Sequence, residues 1–307
     1  MDKQVFYSPG KLLISGEYLV LDGAKALAVP TKFGQELRVE KTDSPYITWK
    51  SNLHNGNLWF KTQFKIKAGK IQLRKTEQKD KAVSQRLLQI FEEIEKIRPN
   101  FLQNGLEFES SLGFPQNWGL GSSSTLINNL AEWAEINPYI LLQNTFGGSG
   151  YDIACAKHKT PLFYQLIDKN PIVKEINFKP DFSSELFFVH LNRKQNSRDS
   201  IQHYKNQNLA EKDKNCQEIS GLTEEILHCK TIKACEKLLR NHEEKLSEIL
   251  NTRTIQEELF SDYSRQIKSL GGWGGDFILA TGREKEKTYF QEKGFSTILS
   301  WEEMIKS

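Results

Sequence analysis

Trp118-Gly119-Leu120-Gly121-Ser122-Ser123-Ser124-Thr125 runs directly into a helix-patterned segment, Leu126 to Glu135. Two glycines let the backbone turn tightly and come close to a ligand. Three serines and a threonine then offer hydroxyls and a helix cap. The first N–H groups of a helix point out of its end, and the helix dipole makes that end slightly positive. Such a site attracts phosphate. Taken alone, the segment reads as an ordinary helix N-cap after a loop. It is not a Walker A motif: GxxxxGK[ST] is absent, and no Lys follows the glycines. The protein-kinase signatures V-A-I-K and H-R-D are absent too. Any phosphate here would rest on backbone N–H groups and hydroxyls.

Three further segments change that reading. The first is Ser8-Pro9-Gly10-Lys11-Leu12-Leu13-Ile14-Ser15-Gly16-Glu17-Tyr18-Leu19-Val20-Leu21. A Lys at a strand mouth can meet phosphate or a substrate oxygen as a point charge, although a lone surface Lys is ordinarily only solvated. The second is Gly147-Gly148-Ser149-Gly150-Tyr151-Asp152, three glycines just ahead of an acid. Ile153-Ala154-Cys155-Ala156 follows and suits a buried helix start, which Asp152 would stabilise through the dipole. The third is Gly271-Gly272-Trp273-Gly274-Gly275-Asp276.

Together the four segments resemble the GHMP small-molecule kinases (galactokinase, homoserine kinase, mevalonate kinase, phosphomevalonate kinase). They occur in the family's order and across most of the chain. The resemblance implies an α+β fold of two domains. Residues 1–175 would form an ATP-binding domain like domain 2 of ribosomal protein S5. Residues 176–307 would form a ferredoxin-like domain, with the active site in the cleft between them. The cofactors implied are ATP and Mg²⁺. The reaction implied is transfer of the γ-phosphoryl group to a mevalonate-type alcohol or phosphate acceptor, with phosphomevalonate or mevalonate foremost. A sugar or amino-acid alcohol kinase of the same superfamily is an alternative, as is a non-catalytic ligand-binding member.

The resemblance also implies roles. Gly119, Leu120, Gly121, Ser122, Ser123 and Ser124 would hold the ATP phosphates, with Ser123 also on the metal. Lys11 would line the site, and Asp152 would accept or orient the substrate hydroxyl. Glu17, Ser149, Gly150, Gly272, Gly274, Gly275 and Asp276 would face the substrate, although Glu17 equally fits a partner for Lys11 or a structural turn residue. Asp276 after the glycines resembles the phosphomevalonate kinase branch. So does Lys194-Gln195-Asn196-Ser197, where Lys194 and Ser197 would bind a substrate anion or form a basic surface loop. Two positions depart from the pattern. Leu141 stands where mevalonate kinases carry a metal-binding Glu, with Gln143 and Asn144 the nearest polar residues. Trp273 interrupts the last glycine run.

Composition sets the outer bounds. A chain of 307 residues holds one large domain or two moderate ones. A hydrophobic fraction of 38% with 18 Phe supplies a core, and 26% charged residues indicate a soluble protein. No apolar run approaches the ~20 residues of a membrane helix. Met1-Asp2-Lys3-Gln4 lacks the features of a signal peptide, so the cytoplasm is expected. Cys155, Cys216, Cys229 and Cys235 form no CxxC pair and suggest neither zinc nor a disulfide framework. The net charge of +3 is spread out, and no RNP motif, zinc-finger spacing or continuous basic helix appears. The expected partner is a small-molecule substrate, not nucleic acid or membrane.

The pattern along the chain predicts strands at Leu12–Ile14, Tyr18–Leu21, Glu36–Glu40, Tyr46–Trp49, Leu58–Phe64 and Leu106–Ser110. Val83, Leu87, Phe91, Ile94 and Ile97 recur at helical spacing, and that helix ends before Pro99. Strands follow at Phe163–Ile167 and Leu186–Leu191, around a loop region, Asp168 to Ser184. Leu238, Leu239, Leu246, Ile249 and Leu250 give one amphipathic stripe, read as core. Phe277–Ala280 and Thr297–Leu299 are strands flanking a charged helix, Arg283 to Lys293.

Overall fold

The computed structural model describes residues 3–75, 80–193, 197–207, 211–272 and 275–306. These fall into two compact units, each drawing on several stretches of chain. One takes Met1–Gly10, Phe33–Gln116 and Gly121–Lys157; the other takes Lys11–Lys32, Asn117–Leu120 and His158–Ser307. Two long strands, β1 (Gln4–Ser15) and β2 (Ala26–Lys41), run from one unit into the other.

The first unit adds β3 (Ile47–Asn52), β4 (Leu58–Lys67), β5 (Lys70–Lys75), α1 (Lys81–Ile97), β6 (Leu106–Leu112), α2 (Ser122–Trp133), α3 (Pro138–Thr145) and α4 (Tyr151–His158). Its sheet runs β5-β4-β3-β6-β2. Strand β6 shows why: Leu106, Phe108, Ser110 and Leu112 are buried, while Glu107, Glu109 and Ser111 are not. That period of two puts one face on the core. Helix α1 lays Leu87, Ile90, Phe91 and Ile94 onto the sheet. The Phe91 ring lies 6.0 Å from that of Trp49, 5.4 Å from Phe64 and 5.3 Å from Phe108. Strands β4 and β5 form a hairpin on which Lys61, Lys65, Lys67 and Lys70 are exposed.

In the second unit the first half of β2 pairs with β7 (Leu162–Ile167), which pairs with β8 (Asn170–Glu175). The chain continues through β9 (Leu186–His190), α5 (Ser197–Lys205), α6 (Lys212–His228), α7 (Ile232–Leu250), α8 (Ile255–Leu259), β10 (Ile267–Ser269), β11 (Phe277–Thr281), α9 (Glu284–Glu292), β12 (Ile298–Ser300) and α10 (Trp301–Met304). The second sheet has the order β10-β11-β9-β12, antiparallel throughout. That is the strand order of a ferredoxin-like sheet, with helices between β9 and β10 and between β11 and β12. Leu239, Leu246, Ile249 and Leu250 of α7 are buried, and the last three join Tyr18, Leu19 and Ile219 in one apolar cluster. The stripe is core. Among the described residues no helix is long and apolar enough to cross a membrane.

Two segments differ from the sequence pattern. Tyr18–Leu21 is not a strand; Leu19–Asp22 forms a 3-10 turn closed by Gly23 at φ 94°. Strand β1 stops at Gly16, which sits at φ 91°, where a Cβ would overlap Ala26 and the Lys25 carbonyl. The apolar run then packs sideways, with Tyr18 stacked on Tyr204. The other is the Asp168–Ser184 region, which contains strand β8. Pro171 is tolerated there because β8 is an edge strand, where a missing N–H leaves no ladder bond broken.

The aromatic packing of α1 sets a stability test. Phe91→Ala empties a fully buried site and should cost about 3–5 kcal/mol. Chemical denaturation measures this. A loss under about 1 kcal/mol would mean that α1 does not close the core of this unit.

Candidate functional site

In the second unit the Pro-Gly-Lys segment and the glycine-serine loop meet through Lys11. The Lys11 backbone N–H donates to the Leu120 carbonyl at 3.1 Å, and its Nζ donates to the Gly119 carbonyl at 3.2 Å. The side chain is only 9% exposed, so the ammonium is held at one place. Gly119 sits at φ 65°, and a Cβ there would overlap the Asp276 carboxylate. Close approach therefore requires glycine at this position twice over, by conformation and by space. Asp276 is itself left-handed at φ 54°. Its N–H donates to the Arg193 carbonyl at 3.0 Å, and its carbonyl accepts from Leu191 at 2.8 Å. The acid that ends the last glycine segment is thereby locked to the exit of β9 and packed on the loop.

His190 also braces this loop and escapes sequence reading. It is buried at the end of β9, and its Nε2–H donates to the Asn117 carbonyl at 3.0 Å. Trp118 packs edge-on against Phe277, with ring centroids 5.4 Å apart, beside the His190 ring. A single His in an apolar strand gives no signal of this kind.

Glu17 is buried, and its partner is Lys268 of β10, whose Nζ donates to Glu17 Oε1 at 2.5 Å. The same Nζ lies 3.5 Å from Glu243 Oε1 and donates to the Ser269 carbonyl at 3.0 Å. Glu243 Oε2 accepts the Ser269 N–H at 3.0 Å. His242 Nε2 accepts the Gly16 N–H at 3.1 Å. That nitrogen therefore carries no proton, and its 3.5 Å approach to Glu17 Oε2 is not an ion pair. Burial, with Lys268 adding to it, holds the His242 ring well below its ordinary value and neutral. Burial also pushes Glu17 up, against the pull of Lys268. Lys268 is the nearest partner of Glu17, and Lys11 also acts on it through its charge.

In the first unit, Gly121 at φ 85° is the N-cap of α2, and no side chain caps the helix. The serines occupy the first helical turn instead of the capping position. Thr125 Oγ1 bonds Gln35 Oε1 at 2.5 Å. Asn128 Nδ2 donates to Ser8 Oγ at 2.9 Å, Ser8 Oγ to Asn129 Oδ1 at 2.7 Å, and Asn129 Nδ2 to the Gln35 carbonyl at 2.9 Å. This buried network fixes the helix axis and leaves its N-terminus without a side-chain cap. Ser123 is exposed there, while Ser124 is buried. Gly147, Gly148 and Gly150 all have positive φ, at 71°, 107° and 88°. Gln143 Nε2 holds this loop by donating to the Gly148 carbonyl at 3.1 Å. Asp152 follows in the first turn of α4, half-buried.

No protein-family model matches the sequence, and no curated protein does. Solved structures do match. The mevalonate kinase of Methanococcus jannaschii superposes with a TM-score of 0.71 at 16% identity, covering 100% of this chain and 99% of that one. The Streptococcus pneumoniae phosphomevalonate kinase in complex with phosphomevalonate and AMPPNP gives 0.66 at 14% identity, covering 97% and 99%. Lactococcus lactis galactokinase complexed with galactose gives 0.68 at 11% identity, covering 95% and 88%. The chain has the GHMP-kinase fold.

Within that fold the metal question is sharper than the sequence made it. Leu141 is fully buried in the core of its unit, and Asn144 Nδ2 is taken by Glu93 Oε1 at 2.5 Å. With Gln143 Nε2 on the Gly148 carbonyl, the amide nitrogens of both polar neighbours are engaged within the fold. Among the described residues no group of three or more His, Cys, Asp and Glu could hold a metal ion. The Ser123 hydroxyl, the one protein group that the resemblance assigns to the metal, is exposed. Ser149 is buried, and Gly272 and Gly275 flank the last glycine turn, where the Gly275 N–H donates to the Gly272 carbonyl at 3.2 Å. Lys194, Trp273 and Gly274 lie outside the described residues, as does the side chain of Ser197.

Glu243 carries a test of the buried cluster. Burial, opposed by Lys268, pushes its carboxyl from 4.5 to about 7. A carboxyl raised on folding binds its proton more tightly in the folded chain. Its stabilising contribution is complete below the unfolded value and is lost as pH rises through about 7. Wild type should lose on the order of 3 kcal/mol from this group between pH 4.5 and 8, and Glu243→Gln should flatten that part of the profile. Parallel stability–pH curves for the two proteins would show that the carboxyl does not titrate in this window.

Proposed function

We propose that this chain is an ATP-dependent small-molecule kinase acting on a mevalonate-type alcohol or phosphate acceptor, with phosphomevalonate or mevalonate foremost. The observation that carries the proposal is the pair of hydrogen bonds from Lys11, its backbone N–H to Leu120 and its Nζ to Gly119. It joins two segments that composition has no reason to bring together, and it puts a fixed ammonium beside a loop suited to phosphate. Residues 1–175 would carry the nucleotide, and 176–307 would complete the acceptor side.

In this reading Gly119–Ser124 holds the ATP phosphates through backbone N–H groups and hydroxyls at the uncapped start of α2. Mg²⁺, held by the nucleotide and Ser123, would neutralise phosphate charge. Lys11 counters charge on the attacking oxygen and on the transferring group. Lys194 and Ser197 bind the anionic group of the acceptor. With an alcohol acceptor, the hydroxyl oxygen forms a bond to the γ-phosphorus as the β,γ-bridging P–O bond breaks. ADP leaves with that electron pair, and the hydroxyl proton goes to the Asp152 carboxylate. With a phosphate acceptor the attacking oxygen is already anionic, so the base matters less.

ATP consumption against mevalonate, phosphomevalonate, galactose and homoserine tests the class and the acceptor together. Turnover with none of the four would remove the proposal. With an alcohol acceptor, Asp152→Asn should lower kcat by about 10²–10⁴-fold and leave ATP affinity nearly unchanged. A kcat within about threefold of wild type would leave Asp152 a helix-start residue.

A further inference from the structure

We propose that Lys268 is a positioning residue: through Glu17 and Glu243 it fixes the strand that delivers the last glycine segment, Gly271–Asp276. The inference rests on the kinase reading above for its consequence in catalysis, but its geometry stands by itself.

Four ionisable side chains, Glu17, His242, Glu243 and Lys268, lie at 3% exposure or less within one unit. Removing charges from water costs several kcal/mol per ion, and apolar side chains of like volume usually stabilise as well or better. Stability alone therefore gives poor grounds for such a cluster. Its geometry gives better ones. Strand β10 is only Ile267–Ser269, and it lies at the edge of its sheet, paired on one side with β11. On the other side Glu243 of α7 takes the Ser269 N–H, and Lys268 reaches across to Glu17. Leu270 then donates to the Phe277 carbonyl at 3.1 Å, and the glycine turn opens at Gly271.

Glu17 is the far end of the same strand-and-turn segment that begins with Lys11. It follows Gly16, whose N–H is taken by His242. One ammonium therefore ties the Lys11 segment to the root of the glycine segment. At the other end of that segment, Asp276 packs on Gly119, which Lys11 holds. The two motifs are joined at both ends, and Lys268 is the join that sequence reading does not contain. Removing the ammonium takes away the tie to Glu17 and leaves the three-residue strand its pairing with β11 and its backbone bonds to Glu243 and Gln256.

The double variant Glu17→Gln/Lys268→Met removes the tie as a pair, and Glu243 keeps the Ser269 N–H. Amide hydrogen exchange on the full chain reads positioning directly. Exchange at Leu270 and Gly275 should speed up about tenfold or more, with β9 amides unchanged. Steady-state kinetics at a temperature where the variant is fully folded reads the consequence. There kcat should fall about tenfold or more, because small displacements of a reacting group are costly. The KM for ATP should stay within about twofold. Phe260→Leu, in the apolar core of the same unit, is the control for lost stability and should keep kcat.

Unchanged exchange at Leu270 and Gly275 overturns the proposal. So does a lowered melting temperature with kcat within about twofold of wild type, while the kinase reading then stands. A wild-type protein that turns over no acceptor removes the kinase reading, and the exchange result still decides the geometry. If the double variant does not fold, Glu17→Ala alone, which removes the tie and leaves Glu243 beside the ammonium, gives the same comparison.

Discussion

Lys11 carries two hydrogen bonds on which much of this molecule's functional geometry depends, one from its backbone to Leu120 and one from its side chain to Gly119. A lysine on a strand is usually a solvated charge. Here the strand delivers it nearly buried, and the carbonyls it meets belong to a loop that must be glycine at 119. The ammonium is held by the Gly119 carbonyl, and the helix that follows the loop has no side-chain cap at its positive end. The proposed phosphate binding rests on both features.

The two units fix their candidate residues by different physics. In the first, neutral side chains do the work: Ser8, Gln35, Thr125, Asn128 and Asn129 satisfy one another in the interior and orient α2. Such a network is stable only when complete, because each unpaired member would cost the full desolvation of a polar group. In the second, charge does it, through Glu17, Lys268 and Glu243. Neutral networks specify an orientation with no dependence on pH. Charged ones specify it more strongly and bring a carboxyl, Glu243, close to titration near neutrality.

The features legible in the sequence were those with a local signature. The alternation of β6, the apolar stripe of α1 with its stop before Pro99, and the glycine clusters at 119–121, 147–150 and 271–275 each lie within a few residues. The positive φ of Gly119, Gly121, Gly147, Gly148 and Gly150 bears out the reason glycine was noticed there. Features built from distant partners left no such trace. His190 braces Asn117, and Lys268 meets Glu17, across most of a domain's length of chain. Periodicity registers which face of an element is apolar; it does not register which buried polar group will find which other. Tyr18–Leu21 failed for a related reason. Apolar residues buried on every side look alike in a strand and in a 3-10 turn, and Gly16 decides between them by its contact with Ala26.

Leu141 brings these strands of argument to one point. A carboxylate there would face a packed core, since the position is fully buried among apolar side chains. Neighbouring polar groups have been turned to structural work, Asn144 on Glu93 and Gln143 on the glycine loop. Under the proposed kinase function, charge neutralisation would rest on fixed protein cations and on the cation that the nucleotide brings with it. Lys11 would be such a cation, held in place by its bonds to Gly119 and Leu120.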